Sequence, residues 1–263
     1  MKPYGRECAR ASCFSVELME LYTLVNIYAE RFIPIFIRVA VMLSFIPFIG
    51  ARGIPLMARA GLAIALTLLL LPVVTVRVDN PVKAVFEAFL VGAAMGLSMR
   101  IILAAIEMAA QWMSIQMGFG MAAVFNPLFG EQLGPLSFFY SILAMSLFFI
   151  FDVHFYFIEG IARSFEISVI NYNGMAGSIL KLNGLLFPLA FKMAAPVMLV
   201  LLLVNIAVGF LSRVLPQANL YFVSVPLHIV VGILILVVSL PLTFLVIVKS
   251  FSHVKDAMLL FVR

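Results

Sequence analysis

The sequence predicts an all-α integral membrane protein of about six long, partly kinked hydrophobic helices. Composition and the lengths of the apolar runs carry that expectation. Of 263 residues, 65% are hydrophobic and 11% are charged, against about 45–50% apolar and about 25% charged in soluble domains. Mean hydropathy is +1.19. Apolar runs occur at roughly 25–50, 56–76, 84–110, 136–160, 186–212 and 225–249. Each reaches the ~20 residues that a helix needs to cross the hydrocarbon core. Such runs argue against an outer-membrane barrel, whose strands alternate over about 10 residues.

Residues 1–20 are polar and mixed in charge, with no apolar core before the first run, so no cleavable signal peptide is expected. Both cysteines, Cys8 and Cys13, lie here. One such pair makes neither a zinc site nor a disulfide framework, and free thiols are expected. The first run carries Glu30, Arg31, Pro34, Arg38 and Pro47, which predicts a kinked span or one only partly in lipid. Gly50 to Pro55 reads as a tight turn from its glycines and proline. The second run, Met57 to Val76, is a clean Leu-rich span. In the third, Asn80 is a natural cap and Pro81 a good first-turn residue. Helical character continues to about Ser114, roughly 34 residues or about 50 Å.

Gly92 and Gly96 on that helix form a GxxxG pattern that lets another helix approach closely. Arg100 and Glu107 are seven apart and share one face. A charge at the bilayer centre costs about 2.5–3.5 kcal/mol on insertion scales, so both must face protein, water or each other.

Gln111 to Pro135 fits neither lipid nor water. Its 25 residues hold four glycines, two prolines and one charge, Glu131. A solvent loop is polar, and irregular apolar backbone at membrane depth packs inside protein or lines a cavity. This predicts a buried, deformable element. The fourth run leads to Asp152 and His154, then Glu159, Arg163 and Glu166 at helical ion-pair spacings. Asp152 and His154, two apart, point to different faces, and interfacial packing is preferred to a proton relay. The last two runs form a hairpin in which Pro196 and Pro241 are expected to break the helices. The Asn205 amide is expected to bond across helices.

Eleven Lys and Arg flank the side of both termini and three (Arg52, Arg59, Arg213) the other, if all six runs cross. The positive-inside rule then puts both termini in the cytoplasm. The net charge of +5 is mostly topological, and no basic cluster marks a nucleic-acid partner. Gly118-Phe119-Gly120 lacks the preceding Thr-Val of a potassium filter. No nucleophile–base pair, phosphate loop or metal-ligand cluster is present, so neither catalysis nor a cofactor or metal is expected.

Several stretches resemble one family. They are Gln116-Met117-Gly118-Phe119 through Phe125-Asn126-Pro127 to Gly130, and Leu147-Phe148-Phe149 through His154 to Arg163-Ser164-Phe165-Glu166. They continue with Ala190 to Pro196, Leu203 to Gly209, Ser212-Arg213, Pro216-Gln217 and Asn219 to Pro226. This pattern, over about residues 21–250, resembles the FliR family, the R-type export-gate subunit of flagellar type III secretion, with its virulence-associated SctT homologues. Asn126 stands where the family has an acidic residue, and Val153 where it has a glycine. No role therefore rests on a charge at residue 126.

The resemblance implies a core subunit of the flagellar export gate in the bacterial inner membrane, at the basal body. It implies a four-helix part similar to the P-type subunit over 21–184, a Q-type-like hairpin over 185–250 and a tail over 251–263. The implied partners are P-type and Q-type subunits (FliP, FliQ), an FlhB-type subunit, unfolded export substrates and membrane lipids. A glycine-rich plug sealing the channel corresponds to Met117, Gly118, Phe119, Gly120, Met121, Asn126 and Pro127. Arg38, Arg100, Glu107, His154, Glu159, Arg163, Glu166, Asn205 and Arg213 are expected as buried polar or assembly contacts. The alternative is a small-molecule or ion transporter, against which the 4+2 division and the few convergent polar residues argue.

Overall fold

The computed structural model describes residues 30–46, 55–74, 80–119, 134–165, 172–214 and 220–261. Among them are seven helices: α1 (30–45), α2 (Leu56–Leu70), α3 (Pro81–Gln116), α4 (Pro135–Ile150), α5 (Val153–Arg163), α6 (Tyr172–Val214) and α7 (Leu220–Phe261). The all-α membrane class is as the sequence predicts.

The lengths differ from it. α3, α6 and α7 are long and apolar enough to span a membrane, and α4 with α5 makes a fourth span only if counted as one bent element. α2 has 15 residues, about 22 Å at ~1.5 Å per residue, short of the ~30 Å hydrocarbon core. With three or four spans among the described residues, the six-crossing premise of the charge asymmetry is not met there. The expected fourth run is bent by 62° between α4 and α5. Asp152 sits at this break in the left-handed region, at φ 53°.

Pro196 and Pro241 do not break their helices. α6 runs unbroken through Pro188 and Pro196, and α7 through Pro226 and Pro241. Each proline removes one backbone hydrogen bond, a loss that packed apolar helices tolerate when neighbours satisfy the freed groups. α6 also runs through residue 184, so the expected division falls inside a continuous helix. The expected tail is helical through Phe261, with Phe251, Val254, Ala257 and Met258 buried.

α3 is the centre. Asn80 caps it by accepting the Val82 N–H at 3.1 Å, and Pro81 opens the first turn. It packs against α4, α6 and α7. Its glycine pair receives α1: a Cβ at Gly92 would lie 2.5 Å from the Arg38 carbonyl oxygen. At Gly96 it would lie 2.7 Å from Phe45 Cβ and 2.8 Å from the Met42 carbonyl oxygen. This is the small-residue approach that the GxxxG spacing predicts.

Backbone cannot yield here as a flexible side chain does. Gly92→Val should therefore destabilise the chain by about 1–3 kcal/mol through overpacking. Gly61, where a Cβ meets nothing within 4 Å, is the control position. Thermal unfolding in detergent should show Gly92→Val melting well below Gly61→Val, and equal melting of the two would refute the contact.

Candidate functional site

The base of the expected plug is a helix terminus with defined geometry. After Gln116 the chain leaves α3 through Met117 and Gly118, and Gly118 has φ +86°. The Gly118 N–H donates to the Ile115 carbonyl at 3.1 Å and the Phe119 N–H to the Ser114 carbonyl at 3.0 Å. These two bonds form a Schellman cap, with the glycine where the left-handed residue belongs. Gly118 thus terminates the helix, a role available from sequence because glycine follows the last apolar turn.

Met117 is completely buried. Its Cγ, Cε and Sδ occupy the space that a Cβ on Gly232 would fill, at 2.6, 2.9 and 3.1 Å. A Cβ at Gly118 would lie 3.8 Å from Val225 Cγ1, and Phe119 packs at the edge of the core. The exit of the loop is therefore fixed against α7. Its return lies at the same corner. A Cβ at Gly134 would be 2.7 Å from Ser114 Oγ, and Ser137 Oγ donates to Gln111 Oε1 at 3.3 Å. Gly120, Met121, Asn126, Pro127 and Glu166 lie outside the described residues.

The polar residues do not form one site. Arg38 is buried, and its Nη1 donates to Ser164 Oγ at 2.6 Å. Ser164 Oγ in turn donates to the Ile161 carbonyl at 2.7 Å. The guanidinium lies 3.7 Å from the Phe165 ring centroid, a cation–π contact. It sits at the C-terminal end of α5, where the helix dipole favours a cation. Arg38 Nε is buried without a hydrogen-bond partner.

Burial within the chain is corrected for the others. Arg100 Nη1 is 3.8 Å from Glu107 Oε1, as their shared face predicts, but the side chains are 45% and 30% exposed. Arg163 and Glu159 pair at 2.6 Å on the surface. Asn205 and Arg213 are exposed, and Arg213 lies in the last turn of α6. The reason is geometric: Arg100, Glu107, Glu159, Arg163 and Arg213 lie on helix faces that the other described helices leave partly or wholly open. His154 is half-buried, its ring 4.3 Å from that of Phe155 and 5.5 Å from that of Phe149.

Asn205 does bond across helices. Its Oδ1 is 2.7 Å from His228 Nε2 on α7, while His228 Nδ1 lies 2.6 Å from the Ser224 carbonyl oxygen. Sequence reasoning missed His228 and Gly232 as partners. Their signal is the hairpin register: once Asn205 and His228 are opposed, the α7 positions near Met117 follow.

A polytopic helical protein with a loop anchored at one corner is the class that fold and site define. Residues 29–254 match the family model described as bacterial export proteins, family 1, and the chain belongs to that family. It is similar to the flagellar biosynthetic protein FliR of Pectobacterium carotovorum subsp. carotovorum, with 32% identity over 231 residues, 84% of this chain and 88% of that protein. FliR of Bacillus subtilis (strain 168) is 29% identical over 239 residues, 86% of this chain and 92% of its own. FliR of Escherichia coli (strain K12) is 30% identical over 222 residues, 78% and 82%.

The Met117–Gly232 contact predicts coupling. Gly232→Val and Met117→Ala should each destabilise the chain, and together by less than their sum, with a coupling of about 0.5–3 kcal/mol. A double-mutant cycle of thermal stability in detergent measures it, and strict additivity would show the two sites to be independent.

Proposed function

We propose that this chain is a non-enzymatic core subunit of a bacterial flagellar type III export gate in the inner membrane. Its loop after Phe119 seals the channel until an unfolded substrate enters. Family membership supports the export context, and the mismatch between the apolar surface of α6 and a bilayer carries the assembly. Exposed apolar side chains extend along α6 from Leu180 to Val214, about 51 Å at ~1.5 Å per residue. A hydrocarbon core covers about 30 Å. The rest needs protein, and P-type, Q-type and FlhB-type subunits are the partners proposed to supply it.

Within that reading Met117 and Gly118 are the anchor of the plug, Phe119 its first bulky group, and Gly120, Met121, Asn126 and Pro127 its body. An apolar constriction stops ions by dewetting, without a charged barrier. The division into a P-type-like part and a Q-type-like hairpin belongs to the same proposal, with the junction carried inside α6.

Two measurements test it. Mild-detergent purification of the tagged chain from its host should recover P-type and Q-type subunits by mass spectrometry. Recovery of the chain alone as a monodisperse protein that binds a small solute would favour a transporter instead. Deleting residues 120–128, which spares the anchor, should make the assembled complex leak ions across the membrane. A tight membrane with that deletion would remove the plug role.

A further inference from the structure

From residue 167 to residue 255 the sequence holds no aspartate or glutamate, yet it holds the cations Lys181, Lys192, Arg213, Lys249 and Lys255. Lys255 lies over the Tyr156 ring at 4.5 Å. Arg213 stands in the last turn of α6, where the helix dipole favours a cation. Lys192 has neither setting. It lies beside the midpoint of the 43-residue α6 and is exposed. Among the described residues it has no hydrogen bond or ion pair.

The face around Lys192 is open. Lys181 and Lys192 are eleven apart, about three turns, so they stand in one line about 16 Å apart. Gly177, Gly184 and Pro188 are exposed on the same side, and a Cβ at either glycine would meet nothing within 4 Å. Small residues of this kind let a second helix come close. The opposite side, with Met193, Ala194 and Val197 buried, is already packed. Apolar side chains flank the lysine along the helix, Phe187 and Phe191 before it and Leu199 and Leu203 after it, all exposed. A hydrocarbon core of about 30 Å cannot cover the whole of this apolar surface. Placed over the later arm, it leaves Phe187 and Phe191 to protein that reaches the lysine. Placed over the earlier arm, it encloses the lysine, and an ammonium there demands a counter-charge.

We propose that Lys192 is the cationic half of an ion pair between subunits. An apolar helix of a neighbouring, different membrane subunit packs on this face of α6 and presents an aspartate or glutamate to the lysine. The inference rests on the export-gate reading and adds the chemistry of one contact to it. The demand is one-sided: the stretch carrying the lysine has no carboxylate to offer, and the same stretch of a second copy has none either. It is also selective. An apolar helix lacking the acid would bury the ammonium unpaired, which is costly, so the face rejects it.

Zero-length crosslinking of the assembled complex tests this. A carbodiimide joins a lysine amine to a touching carboxylate as an amide, with loss of water. In the complex purified in mild detergent, mass spectrometry should find the Lys192 peptide joined to an Asp or Glu peptide of another membrane subunit. Lys192→Arg should keep that subunit and lose the crosslink, because a guanidinium pairs but does not form the amide. Lys192→Met should recover at least about fivefold less of that subunit, since its carboxylate is left buried and unpaired. Either the crosslink or this split between Arg and Met supports the pair. Equal recovery by all three chains with no crosslink overturns it and leaves the export-gate reading standing. Equal loss by Lys192→Arg and Lys192→Met with no crosslink overturns it too, because shape and not charge then matters. A crosslink confined to this chain overturns it. So does a Lys192→Met complex that keeps its subunits and loses bound anionic phospholipid, which gives the lysine to a headgroup. Recovery of the parent chain alone overturns the export-gate reading, and the pair with it.

Discussion

The close approach of α1 to α3 at Gly92 and Gly96 is the contact on which the rest of the bundle depends. In lipid there is little hydrophobic force between apolar helices, so association relies on dispersion and on small residues that let backbones meet. The Arg38 carbonyl lies over Gly92, which fixes where the Arg38 side chain begins. From there the guanidinium reaches Ser164 and Phe165 at the end of α5. A buried cation that loses its partners costs several kcal/mol, about 3–5 for a broken buried pair. The glycine contact thus positions a group that also ties α1 to the far arm of the 62° bend. A side chain at Gly92 would disturb both levels at once.

The other end of α3 is held by a different device. A Schellman cap fixes the direction in which the chain leaves the helix, and Met117 fixes its distance from α7. A gating element needs two arrangements of one segment and a base that does not drift between them. Met117 is fully buried at the C-terminal end of α3, so the loop base is a fixed point against α7. Methionine packs well into an irregular gap such as the surface above Gly232 because its thioether chain is flexible and polarizable. That adaptability suits the close fit of Met117 over Gly232.

What was legible in the sequence follows locality. The Asn80–Pro81 start of α3, the glycine pair and the Arg100–Glu107 face each depend on one helix and its 3.6-residue period, and all three appear as read. The reach of Asn205 to another helix was legible because a mid-span amide needs a partner. Its partner His228 was not, since that depends on the register of α6 against α7. Gly232 stayed hidden for the same reason. The exposure of Glu159, Arg163 and Arg213 depends on which faces the other helices cover. Composition carries no information on that point. Pro196 and Pro241 misled because a rule drawn from water-exposed helices was applied to packed apolar ones.

The distribution of polar groups weighs against the transporter alternative. A transporter binds its solute at a midplane site where broken helices from two repeats converge their polar groups. Here three of the polar side chains are each engaged within this chain. Arg38 is held by the end of α5, Asn205 by His228 within the hairpin, and Arg163 by Glu159 within one helix. Arg100 and Glu107 pair along α3 and open outward from the chain rather than into its core. Only 17% and 22% of the apolar windows of α6 and α7 are buried, against 67% for α3. The interior of this chain is thus used for holding α3 and the loop base in place. The charge pairs Arg100–Glu107 and Glu159–Arg163 lie on its outer faces.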